Sequence, residues 1–86
     1  MAPTPTEQQL SETLSAAGSA HHEYESNFLG GVRDEQRNRW YAAYVLGRLG
    51  DFTTPTALTR WLGEVSGEGE WAALAAAHVS SSLAAG

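Results

Sequence analysis

The sequence contains no cysteine and no lysine. Without cysteine there is no disulfide staple and no thiolate metal site. The absence also fits a reducing compartment. Without lysine, all five basic residues are arginines, against ten acids, for a net charge of −5. That balance disfavours nucleic acid and anionic membrane as partners, because both reward a basic footprint. Each positive charge that is present is a planar fork suited to carboxylate or phosphate. No apolar run approaches the roughly 18 residues of a membrane span. The opening Met-Ala-Pro-Thr-Pro-Thr lacks the basic and apolar regions of a secretory leader. The expectation is a cytoplasmic protein. Alternation of period two is also missing, which argues against strands, and no internal repeat is visible.

What is present is helical periodicity. Residues 1–5 read as a flexible Pro/Thr tail, and residues 6–86 as one helical domain. Thr6 followed by Gln9 resembles a capping box. From there Leu10, Leu14, Ala17, His21, Tyr24 and Phe28 recur at spacings of three and four, which predicts a helix over about 6–29. Gly30-Gly31 ends it. Asp34 is placed to cap a second helix over about 34–49, with Glu35 in its first turn and Gly50 as its stop. Thr54-Pro55 is a cap followed by proline at the first helical position, opening a third helix over about 55–66. Arg60 and Glu64 are spaced as an exposed ion pair on it. A turn over Ser66 to Gly69 leads to a fourth helix, about 69–84, presenting Trp71, Leu74, Ala75, His78, Val79 and Leu83 to the interior. Four amphipathic helices with short connections define an all-α fold, a compact four-helix bundle or orthogonal array. The expected core is Leu10, Leu14, Phe28, Val45, Leu49, Leu58, Trp61, Leu62, Val65, Trp71, Leu74 and Val79. The first helix is about twice as long as the third, which predicts an opening at one end.

Two patterns point to chemistry. On the second helix Arg33, Arg37, Trp40, Tyr41, Tyr44 and Arg48 fall within one sector of about 100°. Guanidinium groups stack on rings and hold carboxylates, so this stripe suits a small aromatic or anionic molecule, or a partner's helix. Arg37, Trp40, Tyr41, Tyr44 and Arg48, with Tyr24, are the candidate ligand-binding residues. A wet rim in which arginine stems cover the rings is the plainer account.

The second pattern is a pair of histidines on apolar stripes. Burying an imidazole costs free energy unless it finds a partner, yet His21 and His78 both fall where leucine would be expected. His21 and Glu25 are an i, i+4 pair, and a carboxylate beside an imidazole orients its tautomer for proton transfer. If His78 approaches from the fourth helix, the candidate catalytic set is His21, Glu25 and His78. A satisfied polar network that fixes helix register is the alternative. The same three groups, with His22 nearby, could hold a metal, although the Glu-x-x-His pairs of carboxylate bundles are absent and the expectation is no metal and no cofactor. No phosphate loop, His-Glu-x-x-His or dinucleotide fingerprint occurs.

The run His22-Glu23-Tyr24-Glu25, then Gly30-Gly31-Val32, Asp34-Glu35 and Trp40-Tyr41-Ala42-Ala43-Tyr44, resembles small uncharacterised bacterial helical proteins, mostly actinobacterial. It spans about a quarter of the chain. The resemblance implies a bacterial, cytoplasmic setting and carries no activity or site residue with it. Three functional classes follow, in order. The first is a binding or accessory protein for a small organic molecule or a protein partner. The second is a small acid–base enzyme of isomerase, dehydratase or cyclase type, and the third a metal-binding bundle. A chain of 86 residues seldom both folds and encloses a substrate, which favours the first. A homodimer would supply the missing enclosure.

Overall fold

The computed structural model describes residues 3–28, 30 and 36–85, apart from the Phe28 side chain. The described residues form four helices: α1 (Glu7–Phe28), α2 (Arg37–Leu49), α3 (Pro55–Gly63) and α4 (Trp71–Ala85). Among the described residues there is no strand, and the fold is the expected all-α bundle.

Local chemistry sets most of the helix ends. At α1 the Thr6 amide donates to Gln9 Oε1 at 2.8 Å and the Gln9 amide donates to Thr6 Oγ1 at 3.0 Å, a reciprocal capping box. At α3 the Thr54 hydroxyl accepts from the Ala57 amide at 3.1 Å, and Pro55 occupies the first turn, where its missing N–H is not needed. Gly50 closes α2 at φ +87°, donating to the Leu46 carbonyl at 2.8 Å; a side chain there would strain this conformation. α2 itself begins at Arg37, with Gln36 before it and no side-chain cap. The expected cap Asp34, its neighbours Arg33 and Glu35, and Gly31 lie outside the described residues. α3 is shorter than its periodicity suggests and ends at Gly63. Pro5, placed in the tail by sequence, is buried; with Pro3, Thr4, Gln9 and Leu49 it bounds a small cavity of about 130 Å³.

The helices form a ring in which α1 packs on α2 and α4, and α3 packs on α2 and α4. Backbones across the two diagonals do not approach. Among the described residues the α1 and α3 backbones stay apart, and their leucines Leu10, Leu14, Leu58 and Leu62 belong to one core cluster. The α1–α4 seam is the most extensive. Ala17 of α1 and Ala72, Ala75 and Ala76 of α4 are buried, and methyl-sized side chains let helix axes come close.

Most of the expected core is present. Leu10, Leu14, Val45, Leu58, Leu62 and Val79 are fully buried, while Leu49, Trp61, Val65 and Trp71 pack partly buried at its margin. Ala42, Leu46 and Phe52 join it unannounced. The larger correction concerns α4. Its inner face is Ala72, Ala75, Ala76 and Val79; Ala75 and Val79 belong to the expected face of Trp71, Leu74, Ala75, His78, Val79 and Leu83, but the centre is turned by roughly 65° from it. Leu74 and His78 consequently sit on its flank, half-buried. The reason is steric: alanine side chains permit the closer α1–α4 contact that the bulkier face would prevent.

The Thr54 cap is open to a direct check. Thr54→Ala should lower the free energy of unfolding by about 1 kcal/mol, read by urea denaturation, and Thr54→Ser should recover most of it. An unchanged midpoint for Thr54→Ala would contradict the cap.

Candidate functional site

His21 faces inward, as its stripe requires. It is 2% exposed, and three rings surround it: Trp40 at 4.8 Å between centroids, Tyr41 at 5.1 Å and Tyr24 at 5.9 Å. Edge and tilted contacts of this kind are each worth about 0.5–1.5 kcal/mol beyond the area they bury. The His21 Nδ1 lies 3.7 Å from Glu25 Oε1, beyond hydrogen-bonding range, and Glu25 is mostly covered. The expected i, i+4 pairing of imidazole and carboxylate is therefore present as a neighbour contact.

The ring system continues outward and across the bundle. Tyr41 meets Trp71 of α4 at 5.1 Å, so side chains bridge the α2–α4 diagonal that the backbones leave open. On the other side Trp40 stacks on Tyr44 at 5.5 Å with planes 21° apart, and on Tyr24 at 6.3 Å and 28°. Arg48 closes the row, its guanidinium carbon 5.6 Å from the Tyr44 ring centre and Nη1 donating to Tyr44 Oη at 3.3 Å.

His78 goes elsewhere. Its Nε2 lies 2.9 Å from Glu64 Oε1, with the two side chains 38% and 49% exposed. The pairing ties α4 to the C-terminal end of α3. The set His21, Glu25 and His78 is thus divided: the first two share the buried joint, and the third sits at a wet edge, held there by the rotation of α4. Glu64, read as the partner of Arg60, is taken by His78 instead. His22 is exposed. Among the described residues no group of three or more histidine, aspartate or glutamate side chains is placed to hold a metal ion, and no helix is long and apolar enough to cross a membrane.

The arginine–aromatic stripe is divided as well. Trp40, Tyr41 and Tyr44 are half-buried and occupied with one another, with His21 and with Tyr24. Arg37 is exposed, and Arg33 lies outside the described residues. The rings of the stripe pack on one another, with Arg48 at the rim.

A concavity lies on the opposite flank of α2. Arg39, Ala43, Leu46 and Gly47 of α2 face Pro55, Thr56, Thr59 and Arg60 of α3, with Asp51 at the connecting loop, around an open groove of about 670 Å³. Small side chains make the space: a Cβ added at Gly47 would touch nothing within 4 Å. Leu46 is the buried part of the floor. Arg39, Arg60 and Asp51 are all exposed, and neither guanidinium is ion-paired among the described residues. The groove is not legible in the sequence, because it forms only where the surfaces of two helices meet. Its local trace is the spacing of Arg39, Ala43 and Gly47, a second stripe of small and cationic positions.

No protein family, curated protein or solved structure matches the chain.

The different surroundings of the two histidines give opposite expectations. His21→Ala should cost about 2–4 kcal/mol by leaving a cavity among the rings, whereas His78→Ala should change stability by less than about 1 kcal/mol, as for an exposed ion pair. Chemical denaturation of both variants checks this; a larger loss for His78→Ala would contradict the placement of the two rings.

Proposed function

We propose that the protein is a non-catalytic binding module whose groove between α2 and α3 takes a small organic anion. The observation that carries this reading is that Arg39 and Arg60, neither ion-paired among the described residues, both line a groove of about 670 Å³. Ligand sites commonly fall between about 300 and 1,000 Å³, with an apolar lining and a few convergent polar groups. No arginine is ion-paired to a carboxylate among the described residues; what sets Arg39 and Arg60 apart is that they border the same concavity, where two guanidinium groups suit a carboxylate or phosphate. Leu46, Ala43 and Pro55 offer the apolar contact for the rest of the ligand.

The acid–base reading has less support. His21 is 2% exposed and in contact with rings from two helices, so a substrate would have to displace a ring to reach it, and His78 pairs with Glu64 at a wetter edge. The binding function expected for the aromatic stripe is retained in kind and moved to the other flank of α2.

A simple amphipathic carboxylate, 4-phenylbutyrate, is a suitable probe. Titrated into labelled protein and followed by amide chemical shifts, it should perturb Ala43, Gly47 and Thr56. The Arg39→Ala/Arg60→Ala variant should weaken binding about tenfold or more, as expected when charge-assisted hydrogen bonds are removed. Gly47→Phe should block it by filling the groove, without a backbone penalty because the position is helical. Arg37→Ala should leave binding intact. Unchanged affinity in the double variant, or loss in Arg37→Ala alone, would overturn the reading.

A further inference from the structure

We infer that the groove recognises an elongated zwitterion, specifically a short peptide with free termini, its carboxylate at the Arg39/Arg60 end and its ammonium group at Asp51. This rests on the groove being the binding site, and adds the second charge and the length of the ligand.

The argument starts from helix direction. α2 and α3 are joined by a short loop, and a Cβ at Gly63, the last residue of α3, would lie 3.4 Å from Asn38 Nδ2 in the first turn of α2. The two helices are therefore antiparallel, with the end of α3 beside the start of α2. Arg39 belongs to the first turn of α2 and Arg60 to the last turn of α3, so both cations stand at the same end of the groove. Asp51 follows Gly50 in the loop, at the other end. The groove is polarised along its length, positive at one end and negative at the other.

The distance between those ends selects the ligand. The nine residues of α3 span about 14 Å. That length puts the two charged ends on the order of 10 Å apart, the span of about three extended residues. A free amino acid is too short to meet both. A tripeptide fits, and its middle would lie over Ala43, Gly47 and Thr56, where small side chains leave room for a backbone. The Thr56 hydroxyl has no hydrogen-bond partner within the described fold and is exposed, so it can bond a peptide group. Thr59 is already committed, donating to the Pro55 carbonyl at 2.7 Å, which leaves Thr56 as the polar contact in the middle of the groove.

The test uses trialanine, its N-acetylated form and its C-terminal amide, each titrated into the full chain and followed by amide shifts at Ala43, Gly47 and Thr56. Trialanine should bind about fivefold more tightly than either blocked peptide, the advantage that one solvent-screened ion pair allows. Asp51→Asn should erase the difference between trialanine and its acetylated form while keeping the difference from the amide. Arg39→Ala/Arg60→Ala should do the reverse. If acetylated and free peptides bind alike to the unaltered protein, the zwitterion is wrong while an anion site between the arginines stands. If no peptide and no simple carboxylate perturbs these amides, the groove itself is not the binding site, and both readings fail.

Discussion

The buried imidazole of His21 and the rings closed around it determine how the bundle is set. The ring of helices has open diagonals, and the contact of Tyr41 with Trp71 spans one of them. Trp40 and Tyr41 reach from α2 to His21 on α1. Together these contacts fix the rotation of α2 about its own axis. A helix has only three flanks to distribute. Once the aromatic flank is turned to α1 and Ala42, Val45 and Leu46 are turned to the core, the flank carrying Arg39, Ala43 and Gly47 must face α3. The groove is thus a consequence of the joint, although no residue of the joint lines it.

The same logic separates the arginines by task. Arg48 lies against an aromatic ring and helps close the packing surface. Arg39 and Arg60 border a space that the small residues of α2 leave unfilled. Guanidinium and ring can form a binding stripe or a packing stripe, and the choice depends on whether the rings have one another to stack on. Here they do. Arg39 and Arg60 have neither a ring nor a carboxylate partner among the described residues, and the proposed ligand site rests on their sharing one groove.

Legibility in the sequence followed the range of the interaction. Caps and stops depend on residues within a few positions, so Thr6 with Gln9, Thr54 with Pro55, and Gly50 could all be read directly. The inward position of His21 was legible because Leu10, Leu14 and Ala17 leave its stripe unambiguous. The inner face of α4 was not, because Ala72, Ala73, Ala75, Ala76 and Ala77 are alike in hydropathy. Which of them turn inward depends on how closely α1 approaches. His78 was misplaced for that reason, and its pairing with Glu64 joins residues on different helices. The groove was hidden for a related cause: each half is an ordinary helix surface, and only the antiparallel pairing of α2 with α3 makes a site of them.

The most direct measurement of this account is a nuclear Overhauser spectrum of the aromatic and imidazole protons. Close packing around His21 predicts strong cross-peaks from its ring to Trp40 and Tyr41, and from Tyr41 to Trp71, with no cross-peak from the His78 ring to any of them. A His21 ring lacking cross-peaks to Trp40 and Tyr41 would contradict the joint, and with it the orientation of α2 that opens the groove.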